Sequence, residues 1–263
     1  MQPESFLIVL NQFVDGPVMS DDTPKIGKIP TGIQGIDDML YGGLTEGTQT
    51  LLVGETGTAK TLLALNVAYA NASTGMPVVY LSIDESKESL LKNMKTVFPN
   101  FEAIDVLVSS GNLFVLERNV VIAIKAGDVI ERFLVILENA IKANEARVMI
   151  IDSLGLIRVN LNDDRTFTKA VALIVDYLRS KGVTGIIISD TLSSEATKVP
   201  GLFDEAMFDN IIRLKKHGDV DERTRYTISV AKLRYSQYKN IELQFDITPD
   251  GIVARQAQHG LPG

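Results

Sequence analysis

Runs of Ile, Val and Leu recur along this chain, each closed by a glycine, a hydroxyl or an acidic residue. Thr48–Val53 ends at Gly54, and helical spacing follows from Lys60 to Ala72. Pro77–Ile83 is a second run, with a helix predicted from about Glu88 to Val97. Leu113–Leu116 is a short strand, and residues 128–144 carry apolar positions at helical spacing. Arg147–Ile151 ends at Asp152, and Thr168–Lys181 reads as a helix stopped by Gly182. Gly185–Ser189 is one more strand. Continuous β-branched runs without polar alternation are what strands covered on both faces look like. Strands that alternate with helices imply an α/β fold with a mostly parallel central sheet and helices on both faces. The last fifth of the chain changes character. Asn210–Leu214, Tyr226–Leu233, Ile241–Ile247 and Gly251–Ala254 are separated by short turns, which predicts an antiparallel C-terminal extension.

Residues 1–26 read as an appendage or linker, because Asp15-Gly16-Pro17 and Ser20–Pro24 are turn chemistry. A main domain is expected over 27–255 and a tail over 256–263. Composition agrees with a folded core: 45% of the 263 residues are apolar. With no cysteine, disulfides and thiolate metal sites are excluded. No apolar run reaches the roughly 18 to 20 residues of a membrane helix. Phe6–Leu10 lacks the cationic flank of a secretory signal, so a cytoplasmic, non-membrane protein is expected. The net charge is 26 − 33 = −7, which argues against a duplex held by phosphate neutralisation.

The most informative segment is Gly54-Glu55-Thr56-Gly57-Thr58-Ala59-Lys60-Thr61, followed by Leu62. A helix N-terminus presents unpaired N–H groups and partial positive charge. A glycine-rich loop ahead of it turns further N–H groups toward one concavity, which suits phosphate. Lys60 supplies a point charge, and the Thr61 hydroxyl is a hard ligand for Mg2+. The usual pattern has glycine where this chain has Ala59, so binding with impaired hydrolysis competes with full turnover. Asp152, closing its strand, suits the metal through water beside Thr61, although such an aspartate also caps helices. Asp84 and Glu85 offer two carboxylates at another strand end. One can orient or activate water, while Asp84 or Ser86 can equally cap the next helix.

Thr31-Gly32, the segment Asp37–Leu44 and the loop at 54–61 resemble the opening of RecA-type P-loop ATPase domains. Ile83–Ser86, Ile150–Leu154, Phe208–Leu214 and Ala231–Arg234 resemble the corresponding segments of the KaiC-like branch. The resemblance implies a RecA-like fold, ATP as the nucleotide and a hexameric ring with ATP between subunits. It assigns water activation to Asp84 and Glu85, with Glu85 favoured. It assigns Lys232 and Arg234 to the γ-phosphate of the neighbouring subunit, a role in which a trans-acting cation is worth about 10³–10⁵ in rate. On spacing alone, those two cations share one face of a solvated strand.

Three departures stand out. One ATPase domain is present where KaiC has two. Glu205-Ala206 occupies the autokinase Ser-Thr positions, so autophosphorylation is not expected. Arg234-Tyr235-Ser236-Gln237-Tyr238 replaces an R-G-[ST]-x-H motif, leaving Tyr235 or Tyr238 to stack on a base or pack at the ring interface. The leading expectation is therefore a Mg2+-dependent ATPase in a homo-oligomer with a regulatory role. A weakly hydrolysing regulator that binds a protein partner is the alternative. A recombinase-like DNA-binding ring is a third, opposed by the acidic balance; Arg213–His217 reads as a solvated strand end with its turn.

Overall fold

The computed structural model describes residues 27–117, 129–161, 163–190, 205–220 and 223–256. The expectations for residues 1–26 lie outside them, as do those for residue 128 and for the tail beyond 256.

The described chain opens with β1 (Lys28–Ile29), α1 (Gln34–Met39) and β2 (Leu44–Thr45), with β1 and β2 paired antiparallel. Then come β3 (Gln49–Gly54), α2 (Lys60–Ser73), β4 (Val78–Ser82), α3 (Lys87–Val97), α4 (Ile104–Ser109) and β5 (Leu113–Glu117). The second half carries α5 (Val129–Asn144), β6 (Val148–Asp152), α6 (Gly155–Asn160), α7 (Asp164–Ser180) and β7 (Thr184–Asp190). A 3-10 turn at Glu205–Met207 leads into β8 (Asn210–Val220), β9 (Arg223–Leu233), β10 (Glu242–Thr248) and β11 (Gly251–Gln256).

The main sheet has nine strands in the order β11-β10-β9-β8-β3-β7-β6-β4-β5. The six from β8 to β5 are parallel, and β9, β10 and β11 add the antiparallel extension. Successive residues of each strand face opposite sides. Leu52, Tyr80, Ile150 and Ile188 therefore join the core beneath α2, while Leu51, Val53, Leu81, Ile151 and Ile187 join a second core with α5 and α7. Burial on both faces explains why the parallel strands lack polar alternation.

Two boundaries differ from expectation by four residues or more. Helix α7 starts four residues before Thr168, because Asp163 caps it by accepting from the Thr166 N–H at 2.8 Å. Strand β8 runs on past Leu214 to Val220, paired with β9 as a ribbon. Lys215, Lys216 and His217 are thus strand residues, and all three are exposed. Three consecutive polar, exposed side chains show none of the apolar alternation that would reveal a strand.

Candidate functional site

Parallel register places Gly54, Ser82, Asp152 and Asp190 at one end of the sheet, since Gly54 pairs with Asp190 and Ser82 with Asp152. Ligands of open α/β sheets bind beyond these carboxyl ends. A cavity of about 270 Å³ opens there, lined by Thr56, Gly57, Ala59, Lys60, Thr61, Asp84, Asp152, Ser153, Ile188 and Asp190.

The loop between β3 and α2 is shaped by close approach and by positive φ. A Cβ on Gly54 would stand 2.5 Å from Thr58 Oγ1 and 2.6 Å from the Leu214 carbonyl oxygen, so only glycine fits. Gly57 sits at φ 82° and Ala59 at φ 69°. The position where the usual motif has glycine thus keeps the left-handed backbone while carrying a methyl group. Thr58 is buried, and its hydroxyl donates to the Glu55 carbonyl at 2.8 Å. Leu62 is partly buried and packs on the core. Lys60 is buried and donates to the carbonyls of Gly54 and Glu55, each at 2.9 Å. Its ammonium also meets Asp190 Oδ1 at 2.6 Å.

Asp152 is buried beside Thr61. Desolvation pushes its carboxyl above the usual carboxylate range, while hydrogen bonds from Tyr80 and Thr61 pull it back. The Tyr80 bond is 2.6 Å long. Among the described residues, no group of three or more His, Cys, Asp or Glu side chains could hold a metal ion. Mg2+ commonly takes one or two protein oxygens and completes its shell with phosphate and water. Thr61 and Asp152 side by side fit that requirement.

The carboxylate pair divides. Asp84 lines the cavity and accepts from Ser153 Oγ at 2.8 Å. Glu85 lies along α3, accepting from Ser89 Oγ at 2.7 Å and Asn93 Nδ2 at 3.0 Å. Ser86 caps α3, its hydroxyl accepting from the Ser89 N–H at 3.2 Å.

Lys232 and Arg234 stand elsewhere. Lys232 pairs with Ile211, which pairs with Leu51, and Arg234 lies two residues further on, so the cations sit toward the start of β3, about 10 Å or more down the strand from Gly54. Lys232 Nζ donates to the carbonyls of Phe208 at 2.7 Å, Glu205 at 3.1 Å and Ala206 at 3.4 Å. Arg234 pairs with Asp209 at 3.8 Å, and Asp209 also meets Arg179 at 3.2 Å. Tyr235 is exposed at φ 61°, whereas Tyr238 packs against the core. Within one chain, the two cations do not meet the loop at 54–61.

Asp190 is the site residue that motif reasoning passes over. It belongs to no spaced motif, yet it closes a continuous apolar strand just as Asp152 does.

A family model described as "ATPase: KaiC" matches residues 29–259. A circadian clock oscillator protein KaiC from a Nostoc species is 29% identical over 235 residues, covering 86% of this chain and 44% of its own length. Another, from a Picosynechococcus species, is 28% identical over 235 residues with the same coverage of both chains. The chain thus spans less than half the length of these curated relatives. The crystal structure of a KaiC-like protein from the hyperthermophilic archaeon Pyrococcus horikoshii superposes with a TM-score of 0.74 at 25% identity. That match covers 88% of this chain and 99% of the archaeal one. With a RecA-like sheet and a match over 29–259, this chain is a member of the KaiC ATPase family.

Proposed function

We propose that the chain binds ATP with Mg2+ in the cavity above β3 and hydrolyses it at the boundaries between protomers of a hexameric ring. The setting is the cytoplasm, and the role is regulatory, with a protein partner reading the state of the ring. The observation that carries this reading is the convergence of Lys60, Thr61, Asp84 and Asp152 on one cavity beyond the strand ends.

In this reading the N–H groups of residues 56–61 and the Lys60 ammonium hold the phosphates. Thr61 and Asp152 hold Mg2+, which offsets charge on the phosphoryl group when bound. Asp84 and Glu85 orient and activate the attacking water, with Glu85 as the base once it leaves Ser89 and Asn93. Lys232 and Arg234 act on the neighbour's γ-phosphate. Their distance from the loop of their own chain supports a role in trans.

Weak hydrolysis is the second reading, and a specific observation favours it. Ala59 holds a left-handed backbone conformation with a side chain present, and small displacements of the phosphates cost large factors in rate. Phosphate release is the deciding measurement, run beside native mass with and without Mg2+-ATP. Turnover that disappears in Glu85→Gln, in a ring, supports the enzyme. Tight ATP binding with turnover no faster than background supports the regulator. A monomer in both conditions removes Lys232 and Arg234 from the reaction.

A further inference from the structure

Asp190 ends β7 and stands in register with Gly54, the residue that opens the loop. Its carboxylate lies 2.6 Å from the Lys60 ammonium, which also donates to two backbone carbonyls at 2.9 Å. An ammonium has three donors. All three are matched by acceptors of the same chain, so a phosphate oxygen gains Lys60 only by taking the place of one of them. The two carbonyls belong to backbone fixed by the β3 ladder and the turn after it. Asp190 is the partner that can yield: its side chain is 49% exposed, against 7% for Lys60. A half-exposed carboxylate can swing toward water at small cost, whereas moving the carbonyls would unmake the loop.

Charge sharpens the competition. Asp84, Asp152 and Asp190 line the cavity with one buried ammonium among them. Even after it swings away, Asp190 remains at the rim, within a few ångströms of the phosphates' place. There its field opposes incoming negative charge. A nucleotide carrying Mg2+ brings less net negative charge than a bare one and meets less of that opposition.

We propose that Asp190 is an internal competitor for the phosphates. It holds Lys60 until a nucleotide displaces it, and it thereby makes tight binding depend on the divalent cation. The proposal rests on the reading of the cavity as a nucleotide site.

The test is calorimetric titration of the full chain with ATP, in EDTA and in excess Mg2+. Asp190→Asn keeps the shape and removes the charge. It should tighten metal-free binding about tenfold, equivalent to about 1.4 kcal/mol, and tighten Mg2+-ATP binding by much less. Asp190→Glu should keep the wild-type pattern. Asp190→Ser is a second charge-free variant and should change affinity in the same direction as Asn. Circular dichroism verifies that each variant is folded. Folded Asn and Ser variants that bind metal-free ATP no more tightly than wild type overturn the proposal. A different result, in which no chain binds ATP with or without Mg2+, overturns the nucleotide reading of the cavity itself.

Discussion

From a wholly buried position in β4, Tyr80 donates a 2.6 Å hydrogen bond to Asp152 Oδ2 at the end of the neighbouring β6. Burial first, and then the nearby Asp152 charge, push the phenol well above its usual range, so it stays a donor. For Asp152 the bond counters the desolvation that favours the neutral acid. Groups that orient a metal ligand are worth about 10–100-fold in affinity or activity. Tyr80→Phe should therefore weaken Mg2+-dependent ATP binding by about tenfold and lower stability by about 1 kcal/mol. Titration with Mg2+-ATP and thermal melting check both, and an unchanged Mg2+ requirement would contradict the positioning role.

The same burial sets the sign of a stability effect at Asp152. Its folded pKa is raised above the ordinary 3.8, so the folded state holds the proton more tightly than the unfolded chain does. Stability is therefore lost as pH rises through the window above that value, and ionised Asp152 is a cost at neutral pH. Asp152→Asn should raise the metal-free Tm by about 2–4 °C at pH 7, corresponding to about 1 kcal/mol in a domain of this size. The advantage should shrink as pH falls toward 4. The variant should also lose the extra thermal stabilisation that Mg2+ gives to bound ATP. Melting curves at several pH values, with and without Mg2+-ATP, separate the two effects.

Ala59 pays a conformational penalty of about 1 kcal/mol at φ 69°, which glycine would not. Glycine, though, gives the unfolded chain more freedom, a destabilisation of about 0.5–1 kcal/mol. The two nearly cancel, so Ala59→Gly should shift Tm by no more than about 2 °C. Its effect should appear in turnover, which rises if the methyl group displaces the phosphates. Ala59→Val should be harmful on both counts, because a β-branched residue is poorly tolerated at positive φ. Thermal melts and steady-state phosphate release on the three chains test this.

The parallel strands were legible because burial on both faces leaves an unbroken apolar run, as at Val148–Ile151 and Ile186–Ile188. The strand-loop-helix order around 54–61 was legible because an apolar run, a glycine-containing break and helical spacing follow one another directly in the chain. The six-residue helices α1, α4 and α6 were not, since they are too short to display a 3.6-residue period. The Lys60–Asp190 pair was hidden for a different reason. It depends on β3 lying beside β7, a neighbourhood set by sheet order and not by sequence distance. The side-chain direction of Glu85 was hidden too, because Ser89 and Asn93 turn it along α3.

That direction leads to a kinetic prediction. Glu85 accepts from Ser89 and Asn93, and a base engaged in this way must break those bonds to reach water near the phosphates. Replacing both residues by alanine removes the restraint without touching the cavity lining. The double variant should raise the turnover number about fivefold, the equivalent of about 1 kcal/mol, a typical net hydrogen-bond contribution. ATP affinity should stay unchanged. A fall in turnover would mean that Glu85 works from its position on α3.

The placement of Lys232 and Arg234 predicts complementation between two inactive chains. Lys60→Ala removes the phosphate-binding ammonium but leaves Lys232 and Arg234 intact. Arg234→Ala leaves the loop intact but removes the cation offered to the neighbour. Each homo-oligomer should lose turnover, the second by about 10³-fold or more. In a ring assembled from an equal mixture, about a quarter of the boundaries join an intact loop to an intact Arg234. Mixing should therefore restore a sizeable fraction of wild-type phosphate release, growing at the rate at which subunits exchange. If each chain supplied its own cation, mixing would restore nothing, because no protomer in the mixture carries both groups. Arg234 also meets Asp209, so melting of each variant alone is needed to show that the lost activity is chemical rather than structural.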